Sequence, residues 1–126
     1  MAAGLTLDAG ALIAFERGDR QVVGIIKRAR ERGETLAIPA GVVGQVWRDG
    51  RRQGRLVRLL GSGAVEVVVL DDLGARGAGQ LCGVAGTSDV IDATVVLCAG
   101  SRGRRIVTSD PEDLRALDPH LNIMTC

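Results

Sequence analysis

Four aspartates carry the chemistry that this chain could perform. Asp8 follows the β-type run LTL at residues 5–7, and Asp110 follows RRIVTS at residues 104–109. Asp89 and Asp92 open the apolar segment DVIDATVVLCA. Their i, i+3 spacing sets them roughly 60° apart around a helix axis, close enough to face one site. Carboxylates gathered in one place repel one another and stay ionised at neutral pH only when a cation neutralises them. All-oxygen ligands select a hard ion such as magnesium or manganese. Such an ion lowers the pKa of a bound water and orients it on a phosphodiester. Each acid also has a purely structural reading. Asp110-Pro111-Glu112-Asp113 is a good helix start, Asp8 could cap the first helix, and Ser88 or Asp89 could cap the helix that holds Asp92. Asp71 and Asp72, after VEVVVL, are expected to be caps.

The elements that must position these acids alternate. β-Type runs fall at residues 5–7, 35–39, 65–70, 104–109 and 122–124, rich in β-branched residues or bounded by turn signals. Between them AGALIAFERG, RQVVGIIKRARERG, GVVGQVWRDG, RRQGRLVRLLG, LGARGAGQLCGVAG and DVIDATVVLCAG read as helices, several closed by Gly. The expected fold is a single α/β domain over residues 1–126, with a mostly parallel central sheet flanked by helices on both faces. Ligands then belong beyond the carboxyl ends of the strands, where Asp8 and Asp110 stand.

With 126 residues, 46% of them apolar, the chain can bury one core. Its 16 basic and 15 acidic side chains nearly cancel, so any nucleic-acid surface must be local. Three cysteines without C-x-x-C spacing argue for neither a disulfide framework nor zinc, and the expected compartment is the cytoplasm. No apolar run approaches membrane-spanning length, and no membrane partner is expected. The lone His120 lies in a turn-like DPHLN, so histidine chemistry is not expected.

The blocks LTLDAGALIAF, IPAGVVGQVWR, SDVIDATVVLCA and IVTSDPEDL, in that order over the whole chain, resemble the PIN-domain family and within it the VapC-like toxins. The resemblance implies a magnesium- or manganese-dependent endoribonuclease, the toxin of a toxin–antitoxin pair, with Asp8, Asp89 and Asp110 as catalytic acids and metal ligands. Asp92 is an additional candidate ligand. It also implies a homodimer, neutralised by a small antitoxin whose C-terminal segment covers the acidic groove. The chain departs from the pattern at Gln45, six residues after Pro39, where the family has Glu. An amide can hold a metal-bound water but supplies no charge and no base. Asp92 could restore the charge; otherwise the module binds RNA or a partner without cleaving.

Arg51, Arg55 and Arg58 recur at helical spacing, with Arg48 and Arg52 nearby; Arg48, Arg51, Arg52 and Arg55 are the RNA-phosphate candidates, and Lys27, Arg28, Arg30 and Arg32 form a second cluster. One Trp, one Phe and no Tyr disfavour a run of stacked bases, so structured RNA is the expected substrate. Trp47 is expected to anchor the core or an interface rather than to stack on a base. Two other fold analogies fail on single residues. A phosphoacceptor receiver needs a Lys late in the chain, where Lys27 is early, and a haloacid-dehalogenase-like phosphatase needs a second Asp where Gly10 stands.

Overall fold

The computed structural model describes residues 4–102 and 105–126. Five strands form one sheet in the order β3-β2-β1-β4-β5, every pairing parallel. They are β1 (Gly4–Leu7), β2 (Thr35–Pro39), β3 (Val65–Val68), β4 (Arg105–Thr108) and β5 (Ile123–Thr125). Seven helices connect them: α1 (Ala9–Glu16), α2 (Arg20–Glu31), α3 (Ala40–Val46), α4 (Gly54–Leu60), α5 (Asp72–Ala85), α6 (Val90–Arg102) and α7 (Pro111–Leu117). The α/β alternation is as the sequence implies, and the sheet is wholly parallel rather than mostly so.

Parallel strands bury both faces, which is why β1, GLTL, is buried along its whole length. Leu5, Leu7, Leu36, Ile38 and Ile106 fill the sheet, and Leu12, Ile26, Leu56 and Leu114 close over it from the helices. α6 supplies Ala93, Thr94, Val95, Val96, Cys98 and Ala99 to the interior, as its apolar sequence requires. Among the described residues, no single helix is long and apolar enough to cross a membrane; α5 and α6 reach that length only together, bent by 107°.

Strand order decides where a site can form. The chain leaves β1 toward β2 and β3 on one side, then returns to place β4 and β5 on the other. Connections after β1 and β4 therefore diverge and leave a crevice between the two strand ends. Asp8 and Asp110 both lie there.

Some boundaries differ from the sequence reading. β3 stops at Val68 because its only neighbour, β2, ends at Pro39, the partner of Val68; Val69 and Leu70 then swing out to the Asp71 cap. Asp71 accepts from the Gly74 amide at 2.7 Å, so the expected cap is observed. β5 lies one residue later than expected, and Arg104 falls outside the described residues. α3 ends at Val46 and α4 begins only at Gly54, whereas the sequence reads as two helices, over residues 41–50 and 51–61. A buried clasp holds the stretch between them out of helix. The Gln53 amide oxygen accepts from the Arg48 and Asp49 backbone amides at 2.8 and 3.0 Å, and its Nε2 donates to Val46 O and Glu16 Oε1, both at 2.8 Å. Arg51 thus lies in a turn, and the expected helical stripe of Arg51, Arg55 and Arg58 does not form.

Candidate active site

Asp8 forms the floor of the crevice. Leu7 pairs with Val107, and one step further the Asp8 amide donates to Val107 O at 3.4 Å, which sets Asp8 beside Thr108. Its carboxylate caps α1 by accepting from the Ala11 amide at 2.9 Å, and it is 6% exposed. Cap and candidate ligand are therefore one residue. A single Oδ1 bond satisfies the helix and leaves acceptor capacity on the group. Burial raises the Asp8 pKa above the usual carboxylate range, while hydrogen bonds from Thr108 and from the Ala11 amide oppose that rise.

Thr108, fully buried, joins the two strand-end acids. Its hydroxyl donates to Asp8, and its Oγ1 accepts from the Asp110 amide at 2.9 Å. Asp110 stands at the α7 N-terminus with Pro111 following, but its side chain makes no capping bond. Instead it meets Asp113 one turn on, and that contact raises its pKa first of all, before the charges of Asp113, Asp8 and Glu112.

Asp89 and Asp92 face this pair from α6. Asp89 Oδ1 accepts from the Asp92 amide at 3.0 Å, the geometry of an N-cap, and the Asp89 carbonyl receives the Cys82 thiol of α5 at 3.4 Å. Asp92, half-buried, is pushed up to about 7, by burial first and then by the charges of Asp89, Asp8 and Asp113. Five aspartates, with Glu112 beside them, thus act on one another at the crevice, with Asp8 at its base and Asp89, Asp110 and Asp113 at an exposed rim. Among the described residues, none of the ion pairs engages any of them.

Sequence reasoning missed two members. In the sequence Asp113 reads as part of a good helix start, although its i+3 spacing from Asp110 repeats that of Asp89 and Asp92. Thr108 becomes visible only with the β1–β4 register. Gly10 is a further positioning residue, since a Cβ there would overlap Ser109 Oγ, and its absence lets α1 begin against the end of β4.

Gln45 lies exposed on α3, outside the hydrogen-bonded acids. It follows Gly41 by one turn, and Gly41 packs against Ile91, next to Asp92. The donor set is anionic, all oxygen and uncompensated, which fits magnesium or manganese in charge and chemistry. Among the described residues, no three His, Cys, Asp or Glu side chains are already gathered closely enough to hold one ion.

The arginine candidates divide. The Arg48 guanidinium donates to the Gly44 and Trp47 carbonyls at 3.1 and 2.7 Å, closing the end of α3. Arg51 and Arg52 pair with Asp49 at 3.4 and 3.9 Å while remaining 92% and 88% exposed. Arg55 lies over Gly18 and, with Arg20, Arg30 and Arg58, lines a groove floored by Phe15, Val23 and Leu59. Trp47 is 41% exposed and so is no core anchor. His120 sits in a turn, where its amide donates to Asp118.

No protein-family model matches the chain, and no curated protein sequence does. Solved structures do. A chain of VapBC2 from Rickettsia felis, bound to a DNA fragment from its promoter, superposes with a TM-score of 0.68 at 16% identity, over 96% of this chain and 97% of that one. FitAcB from Neisseria gonorrhoeae gives 0.65 at 16% identity over 96% of both chains. PAE2754 from Pyrobaculum aerophilum gives 0.64 at 19% identity, over 98% of this chain and 84% of the other. Near-complete coverage in both directions, together with the five-stranded parallel sheet and its switch-point crevice, means that this chain has the PIN-domain fold.

Proposed function

We propose that this protein is a magnesium- or manganese-dependent endoribonuclease acting as the toxin of a toxin–antitoxin pair. The observation that carries this reading is the crevice of five uncompensated aspartates, in which Asp92 is driven to about 7 by burial first and then by its acidic neighbours. A divalent ion held there would supply an activated water and offset the negative charge that builds on a phosphodiester under attack. Asp8 and Asp92 would form the inner part of its cradle, and the exposed Asp89, Asp110 and Asp113 side chains would turn in to complete it. Thr108 holds Asp8 through its hydroxyl and Asp110 through its Oγ1, fixing the strand-end acids relative to each other. Gln45 supplies no charge, and Asp92 and Asp113 stand where charge is needed.

The toxin role, and with it an antitoxin partner, is supported by likeness to chains of the VapBC2 and FitAcB structures; a homodimer is proposed along with that role. The competing reading is a module that binds RNA or a partner without cleaving it; the exchange of a family Glu for Gln45 favours it. Incubating the protein with a defined pool of structured RNAs separates the two. Cleavage that stops with chelator and returns with magnesium or manganese is expected, whereas binding without cleavage in either metal selects the module. Co-expression with the product of a neighbouring small reading frame, followed by size-exclusion chromatography, should yield a joint complex. Separate elution counts against a toxin.

A further inference from the structure

Trp47 has no role in the acidic crevice, and its setting is unlike that of a core residue. It follows α3 directly, 41% exposed, and its indole lies against Gly50, where a Cβ would come within 2.8 Å of the ring. Glycine is what lets the ring lie down on the loop. The loop itself is fixed, because the buried Gln53 side chain holds the backbone at Val46, Arg48 and Asp49 and reaches Glu16 of α1. The result is a flat aromatic surface supported from behind and open in front.

Its surroundings are cationic. Arg51 and Arg52 share the single carboxylate of Asp49 and are almost fully exposed, an arrangement that leaves a net positive charge on the loop that carries the ring. Exposed pairs of this kind are weak and exchange readily for a phosphate. One helix links the position to the acids: α3 packs at its start, through Gly41, on Ile91, which lies between Asp89 and Asp92 in sequence, and Trp47 stands at its other end.

We propose that Trp47 is a stacking platform for one base of a single-stranded stretch of RNA leading into the acidic crevice, with Arg51 and Arg52 holding the adjoining phosphates. The inference rests on the ribonuclease reading and deepens it. A supported ring on a loop with exposed cations suits a nucleotide, whose base stacks while its phosphate is paired. One platform reads one position, so the contact places a strand rather than reading a sequence.

Trp47 is the sole tryptophan and the chain has no tyrosine, so its emission reports this residue alone. The full chain, in chelator-containing buffer that prevents cleavage, is titrated with a fluorescein-labelled adenosine octaribonucleotide and with a matching abasic octamer, following both tryptophan emission and fluorescein anisotropy. Saturable quenching by the adenosine octamer at the half-point given by anisotropy is expected, with little quenching by the abasic strand. Trp47→Leu should weaken binding of the adenosine octamer about tenfold, and Trp47→Phe should restore most of it. If the octamer binds by anisotropy while emission and the Trp47→Leu affinity stay unchanged, the platform is wrong and the nuclease reading stands. If emission responds only to a co-purified small antitoxin, Trp47 is a protein contact and the proposal falls. A protein that neither binds nor cleaves RNA overturns both.

Discussion

Thr108 hydrogen-bonds the carboxylate of Asp8 through its hydroxyl, and through the same oxygen it receives the backbone amide of Asp110 at 2.9 Å. One buried hydroxyl thereby holds the two strand-end acids in register. Thr108→Val keeps shape and removes both bonds. It should cost about 1–2 kcal/mol through unsatisfied groups and reduce metal-dependent cleavage about 10- to 100-fold, in the manner of outer-shell metal-site partners. Thr108→Ser should retain most activity. Urea unfolding and cleavage rates on both variants check this, and wild-type cleavage by Thr108→Val would remove the bridge from the account.

Gly10 and Ser109 make the second joint. Because a Cβ at position 10 would overlap Ser109 Oγ and lie 3.2 Å from its Cβ, Gly10→Ala must turn that hydroxyl to another rotamer and press the residue before Asp110 back by a few tenths of an ångström. Mild overpacking of this kind costs about 1 kcal/mol, and cleavage should fall with it. Adding Ser109→Gly to the same chain removes the obstructing atoms and should recover most of both losses. Thermal midpoints and cleavage rates of the single and double variants test the contact.

Asp92 sets a pH dependence whose direction is fixed. Its pKa in the fold, about 7, lies above the 3.8 of the free side chain. Between those values the folded protein binds more protons than the unfolded chain, so stability contributed by the protonated acid is lost as pH rises toward 7. Metal-free protein should therefore be more stable near pH 5 than near pH 8 on account of this group. Asp92→Asn should flatten that difference, and magnesium should raise the midpoint at pH 8 in wild type far more than at pH 5. Thermal scans at the two pH values, with and without metal, decide it. An unchanged slope in Asp92→Asn contradicts the assignment.

Much of this site was legible in the sequence, and the remainder has identifiable physical reasons for being hidden. Asp8, Asp89 and Asp110 announce themselves because a strand-to-helix junction is local, and α/β alternation implies which ends of the strands carry ligands. Thr108 and Gly10 act across the β1–β4 pairing, between residues about a hundred positions apart, so only register reveals them. Arg48 and Arg51 looked like phosphate ligands on a helix because propensity cannot see Gln53. That side chain binds backbone five residues away and Glu16 across 37 positions, and it turns the expected helix into a loop. Asp113 was concealed by its own good fit to a helix start.

Gln45 is the point where the chain departs from the PIN-domain sequence pattern that it resembles. Should Asp92 supply the missing charge, Asp92→Asn will impair cleavage about as much as Asp8→Asn, and Gln45→Glu will tighten manganese binding by adding a carboxylate on α3. Isothermal titration of manganese into both variants reads this directly. Normal cleavage by Asp92→Asn together with unaltered manganese affinity in Gln45→Glu removes the compensation idea.

The most direct test of the central claim is the rate at which wild type and Asp8→Asn cleave one structured RNA in saturating magnesium or manganese, with circular dichroism confirming that both are folded. Asparagine can still cap α1 through its amide oxygen, so the substitution removes charge while sparing the helix. The acidic-crevice account predicts cleavage by wild type, abolished by chelator, and none above background by folded Asp8→Asn. Equal cleavage by the two proteins, or full wild-type activity in metal-free buffer, would contradict it.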